Sequence, residues 1–201
     1  HNIVDLGFGT ASAQSVTISF WVKSSLTGSH GAALNNGNED RSYPFAYTVS
    51  VANTWEYKTV TIAGDTSGTW DTDNTAGMII TFGLGTGTTY QGTADAWQAG
   101  NKFQPSGTIQ NIGTISNWNV TGVQLEAGVN ATDFENLQYG QQFALCQRYY
   151  QTQTIALNGI STSGVSGFSF NTIMRAAPTI TWSSGGVANR QYRIDTGAVY
   201  D

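Results

Sequence analysis

Asp71 and Asp73, with Asp65 six positions upstream, form the densest acidic cluster in the chain. In a turn-rich loop, Asp-Thr-Asp-Asn can offer oxygens to a hard cation, so Asp71 and Asp73 are the candidate ligands of a structural Ca²⁺ completed by backbone carbonyls. The spacing lacks the remaining ligand positions of an EF-hand loop, and water-exposed loop acids are the plainer alternative. Hydrolysis by paired carboxylates needs two acids about 5–10 Å apart, one with a raised pKa, and nothing in this spacing singles out such a pair. Nucleophilic chemistry has less to draw on. Cys146 is the one cysteine, the histidines are His1 and His30, and the apolar neighbour Leu145 makes Cys146 read as a small core residue. Gly83-Leu84-Gly85-Thr86-Gly87 has neither the lysine nor the following helix of a phosphate-binding loop. These absences argue against an enzyme. Sugar recognition asks for other groups: open aromatic faces to stack on a pyranose, bordered by uncharged amides and hydroxyls. Trp21, Tyr43, Tyr90 and Trp97 are the candidate rings, and Gln91 and Gln98 the candidate amides. The competing role for each ring is burial in a core, under a loop or at an oligomer interface.

The elements that must hold these residues read as strands. Val16, Ile18, Phe20 and Val22 alternate with Thr17, Ser19, Trp21 and Lys23, which is the period of a half-buried strand and turns Trp21 outward. Gly and Asn crowd residues 28–38 and predict a loop, followed by a strand alternating through Phe45, Tyr47, Val49 and Val51. Trp55 against Val60 and Ile62 changes phase by one residue and predicts a bulge between 56 and 59. Residues 64–74 predict an ordered loop pinned by Trp70, Met78 to Leu84 a strand, and 85–107 a long loop or short edge strand. The run from Trp118 to Leu125 slips phase at Gly122, again a bulge signal. Helical period is weak and confined to Leu137–Cys146, while Tyr149–Ala156, Phe168–Ile173 and Thr179–Trp182 read as strands.

Composition supports the same class. The chain has 201 residues, a net charge of −5 and only 10% charged side chains, with polarity supplied by 27 Thr, 17 Ser, 15 Asn, 13 Gln and 24 Gly. Such residues suit sheet faces and turns, and the expected fold is all-β: a β-sandwich with jelly-roll or Greek-key connections. A membrane span of about 20 apolar residues is absent, and eight scattered basic groups cannot make the cationic face that nucleic acid requires. With 24 aromatics there is enough apolar surface for a core, which argues against disorder. One cysteine excludes an intrachain disulfide. No signal peptide is evident, and a chain starting at His1 and ending just after a strand-like run reads as one piece of a longer polypeptide.

Four segments carry a resemblance: S-V-T-I-S-F-W-V-K-S at 15–24, T-V-T-I-A-G-D-T-S-G-T-W-D-T-D-N at 59–74, T-Y-Q-G-T-A-D-A-W-Q-A-G-N at 89–101, and the stretch from Trp118 to Tyr150 containing G-V-Q-L-E-A-G, A-T-D-F-E and L-C-Q-R-Y-Y. Together with M-R-A-A-P-T at 174–179, they resemble a module of phage tail fibres and other virion surface proteins. The resemblance implies a jelly-roll domain like those of carbohydrate-binding modules over residues 1–137, then a smaller β-rich C-terminal fibre domain over 138–201 that stops short of completion. It departs from the family at Asp133, where proline is usual.

What the resemblance implies for function is a virion tail-fibre or tail-tip component, without enzymatic activity, that helps attach the particle to a cell-surface glycan of the host. Its partners would be that glycan, other virion proteins and two further copies in a homotrimer, with Arg148, Tyr149 and Tyr150 at the contact between copies, the lining of a glycan groove being their alternative role. A shaft, capsid-decoration or adaptor domain acting only in trimerisation and docking is the alternative, and an accessory module of a depolymerase a third. The sequons at Asn119 and Asn130 carry no meaning in a phage protein.

Overall fold

A computed structural model of the chain describes residues 3–73, 75–110, 117–152 and 170–174. The chain divides into two compact units, His1–Glu135 and Asn136–Asp201, two residues ahead of the expected boundary.

The first unit is an all-β sandwich. After a one-turn helix α1 (Ile3–Leu6), its strands are β1 (Val16–Ser24), β2 (Gly28–Asn36), β3 (Arg41–Val49), β4 (Glu56–Ile62), β5 (Met78–Gly83), β6 (Gln91–Gly92), β7 (Gln98–Ala99), β8 (Gln104–Pro105) and β9 (Trp118–Ala127). They form a three-stranded sheet ordered β4-β1-β9 and a four-stranded sheet ordered β5-β2-β3-β7, both antiparallel, plus a short parallel pair β6-β8.

The two larger sheets meet through their alternating inward residues. Val16, Ile18, Phe20 and Val22 of β1 are fully buried, as are Phe45 and Val49 of β3 and Ile62 of β4; each such side chain contributes about 1.5–3 kcal/mol by leaving water. Phe20 lies edge-on to Tyr47 at 5.2 Å and to Phe82 at 5.1 Å, and Phe82 reaches Trp118 at 5.3 Å. The polar tips buried with these rings are partnered: Trp118 Nε1 donates to the Tyr47 hydroxyl at 3.2 Å, and burial pushes that hydroxyl above its ordinary pKa. His30 stacks on Tyr47 at 5.6 Å and its Nε2 lies 3.1 Å from the Leu26 carbonyl.

Two expectations fail here for physical reasons. The Gly- and Asn-rich stretch expected as a loop is β2, a central strand paired with β3 and β5. It needs small residues because both of its faces are covered: Ala32 and Leu34 join the core, while a side chain at Gly31 would run into Gln104 and come within 2.9 Å of Thr108 Oγ1. The bulge expected between 56 and 59 is absent, since β4 pairs with β1 in unbroken register from Glu56 to Ile62. Trp55 is out of phase with Val60 and Ile62 because it faces outward. The bulge predicted at Gly122 is present: the β1–β9 register shifts between Ser19 and Trp21, and Gly122 sits at φ +58°, where glycine avoids the strain a side chain brings.

In the second unit, α2 (Tyr139–Gln147) takes up the weak helical pattern of 137–146. Cys146 is exposed on α2 and not in a core as expected. Residues 149–152 and 170–173 carry no strand; the rest of the strands expected after 149, and with them the β-rich C-terminal domain, lie outside the described residues.

Candidate functional site

The outer faces of the two sheets differ in what covers them. Over the four-stranded sheet, the segment from Thr86 to Gln110 packs down with Gln104 fully buried, and Asn35 Nδ2 of β2 donates to the Lys102 carbonyl at 3.2 Å. Among the described residues, the outer face of β4-β1-β9 is covered only at one end. Its outward residues form cross-strand rows: Thr61, Thr17 and Glu126; Thr59, Ser19 and Gln124; Tyr57, Trp21 and Thr121; then Lys23 and Asn119, with Trp55 beside Lys23.

The first two rows are closed by the chain returning from β9. The Thr17 hydroxyl donates to the Gly128 carbonyl at 2.9 Å and lies 3.1 Å from that of Thr61. Glu126 accepts from the Thr132 hydroxyl at 2.6 Å and its amide at 3.0 Å, and these bonds, the hydroxyl's foremost, hold its carboxyl below the usual range. Gln124 accepts from the Glu135 amide at 2.8 Å and donates to the Asp133 carbonyl at 3.4 Å.

The last two rows stay open. Trp21, Tyr57 and Trp55 are 43%, 44% and 40% exposed. Trp21 and Tyr57 lie directly opposite one another with centroids 5.4 Å apart, and the Lys23 ammonium rests 5.2 Å from the centre of the Trp55 ring. Where β9 bulges, a side chain at Gly122 would meet Trp21 Cδ1 at 3.5 Å and Phe134 Cδ2 at 3.8 Å, so these two rings flank bare backbone. Exposed Asn119 and Thr121 border the surface on the β9 side. Chemically this is a shallow apolar strip with neutral hydrogen-bonding groups and one cation at its edge.

Most of the ring and amide candidates from the sequence are elsewhere. Tyr43 is buried in the core, and Trp97 is half-buried with edge contacts to Tyr43 at 5.3 Å, Trp70 at 5.4 Å and Phe8 at 5.9 Å. Trp97 Nε1 donates to the Ala63 carbonyl at 2.6 Å, so Trp97 serves as an anchor for the covering segments. Gln91 donates to the Thr86 carbonyl and Gln98 to the Thr93 carbonyl, which commits both amides to holding their own loop. Tyr90 is exposed on one face and stacked on Phe103 at 5.2 Å by the other. Trp21 alone of the candidate rings lies on the open strip; Trp55, Tyr57, Lys23 and Phe134 were missed. Outward period-2 spacing of Trp55 and Tyr57 was the available signal.

Asp65 is taken by Arg41 in a two-point ion pair at 2.7 and 2.8 Å, and Asp73 accepts from the Thr75 amide and hydroxyl at 2.8 and 2.6 Å. Among the described residues no group of three His, Cys, Asp or Glu side chains gathers as a metal-ligand set around Asp71 and Asp73 or anywhere else. Arg148, Tyr149 and Tyr150 follow α2, and both tyrosines are exposed. No protein-family model, curated protein or solved structure matches the chain.

Proposed function

We propose that the first unit is a non-catalytic glycan-binding module of a virion surface protein, contributing to host attachment through the open Trp55–Tyr57–Trp21 end of the β4-β1-β9 face. The observation that carries this reading is that three large rings, each about two-fifths exposed, gather on one sheet face, whereas the other tryptophans and tyrosines of the sandwich are drawn into packing, apart from Tyr90, which is equally exposed but lies on its loop against Phe103. A cluster of open apolar surface is costly to leave in water and marks an interaction site. A strip of exposed rings bordered by Asn119 and Thr121 suits a pyranose, whose apolar face stacks on a ring while its hydroxyls bond to neutral polar groups. A strip this shallow binds a single sugar chain at about millimolar strength, and several linked copies raise the avidity by roughly 10² to 10⁴.

A scaffold role in trimerisation and docking is the second reading, favoured by the exposed Tyr139, Phe143, Leu145, Tyr149 and Tyr150 of the second unit. The test is a glycan array with adsorption to bacterial cells, comparing the whole chain with Trp21→Ala, folding being checked by circular dichroism. Loss of at least about tenfold in binding, equivalent to about 1.4 kcal/mol, is expected for the folded variant. Unchanged binding in Trp21→Ala, or no glycan bound by the unaltered chain, would overturn the assignment in favour of the scaffold.

A further inference from the structure

We infer that the glycan taken by this face is an acidic one, a pyranose carrying a carboxylate, and that Lys23 is the residue that selects it. The inference rests on the glycan-binding reading above and adds the class of sugar.

Cations are few in the sandwich, and all but Lys23 are engaged. Arg41 is paired with Asp65 and Lys58 with Glu56, the two ion pairs among the described residues, and the Lys102 ammonium donates to the Thr89 carbonyl at 2.6 Å. Lys23 enters neither pair. Its ammonium sits over Trp55, which holds the side chain on the open strip without neutralising it, because an aromatic face attracts a cation but leaves its charge in place. Its cross-strand neighbour on β9, Asn119, is uncharged. The acids on this face lie toward its closed end: Glu126, already bonded to Thr132, belongs to the row of Thr17, six residues back along β1 and so about 20 Å away at about 3.3 Å per residue, and Asp133 and Glu135 sit on the returning segment held by Gln124 in the row of Ser19, four residues back. The face thus has a cationic open end and an anionic closed end.

A sugar stacked on Trp21 or Tyr57 therefore has as its neighbour a cationic residue two positions further along β1, its backbone about 6.6 Å on, a spacing comparable with the span of one pyranose ring. A carboxylate on the stacked residue or its neighbour reaches Lys23 there. A neutral sugar leaves the ammonium facing water and gains nothing from it. In a protein whose net charge is −5, an anionic ligand would otherwise be repelled, so the isolated lysine on the strip decides which sugars are admitted.

The experiment titrates the whole chain with a uronic-acid oligosaccharide and a sialylated oligosaccharide, each beside its carboxyl-reduced neutral counterpart, at low salt (about 50 mM) and at about tenfold higher salt, where screening is strong. The unaltered chain is expected to prefer one acidic form by about two- to fivefold at low salt, the range of a partly exposed charge pair, and to lose the preference at high salt. Whichever acid shows the preference identifies the source of the carboxylate. Lys23→Gln is expected to bind acidic and neutral forms alike, and Lys23→Arg to keep the preference, which separates charge from packing on Trp55. Equal binding of both forms by the unaltered chain, or an acid preference surviving in Lys23→Gln, overturns the role of Lys23 and leaves the aromatic strip standing. Binding that Trp21→Ala leaves intact for both forms overturns the strip, and the acid selection with it.

Discussion

Replacing Trp97 by alanine separates an anchor from a ligand platform, because the two roles move different observables. The ring touches Phe8, Tyr43 and Trp70 edge-on with centroids 5.3–5.9 Å away, and its Nε1 bonds the Ala63 carbonyl at 2.6 Å. Full burial of such a ring makes truncation cost about 3–5 kcal/mol, which partial exposure of Trp97 trims to about 2–4 kcal/mol. With a urea slope of about 2 kcal/mol/M, the unfolding midpoint should drop by about 1–2 M. Trp97→Phe keeps the aromatic contacts and removes only the hydrogen bond, so it should cost about 1 kcal/mol. The assay is urea unfolding followed by far-ultraviolet circular dichroism, with glycan binding measured below the transition, where the remaining folded protein should bind as before. A Trp97→Ala variant with an unmoved midpoint and abolished binding would refute the anchor argument and return Trp97 to the ligand face.

Two further outcomes are expected. Glu56 accepts from Lys58 and from the Ser50 and Val51 amides, which hold its carboxyl down at about 2 with the lysine contributing most, against an ordinary 4.5. A carboxyl depressed in the folded state gives stability that is fully present above the ordinary value and lost as pH falls from there through about 2; Glu56→Gln should flatten that part of the stability–pH curve in urea titrations, and an identical acid limb in both proteins would contradict it. Gly31→Ala drives a methyl into Gln104 and toward Thr108 Oγ1 and should cost about 1–3 kcal/mol, measured by the same urea unfolding, whereas a surface loop at 28–38 would accept it within about 0.5 kcal/mol.

Alternation made β1, β3 and β5 legible because each has one face in the core and large residues to mark it. β2 was hidden for the opposite reason. A strand covered on both faces by tight packing carries Gly31, Ala32 and Ala33, and smallness of that kind is written in the same residues as a turn. Trp70 could be read as the pin of its loop, since an indole in a run of turn formers has to shelter; it does, edge-on to Phe8 at 4.6 Å. The candidate strip was only partly legible. Trp21 was visible through the alternation of β1, but Tyr57 joins it only through the register of β4 on β1 and Trp55 only through its contact with Lys23, and pairing of that kind is not displayed by a single strand. Tyr43 and Trp97 misled because an aromatic among polar neighbours has the same sequence signature whether it roofs a core or faces a sugar.

The motif that marks the end of the first unit has a physical role independent of any ligand. Gln124 and Glu126 are two residues apart on β9, so both point outward, and from there they capture the returning chain at Thr132, Asp133 and Glu135. The spacing in G-V-Q-L-E-A-G followed by A-T-D-F-E is what such a clamp requires: a glycine turn at Gly128, φ +98°, then enough residues to bring a hydroxyl and three backbone groups back over the strand. Residue 133 takes part through its carbonyl, a group that proline also carries, so aspartate in place of proline keeps the clamp's bond and gives up only the stiffness of the ring. The same return sets Phe134 beside Gly122, whose backbone Trp21 also borders, closing one end of the face and leaving the other open. The words most specific to the resemblance therefore account for how the sandwich is finished, and the case for glycan binding stands on rings that lie outside them, at Trp55 and Tyr57, together with Trp21.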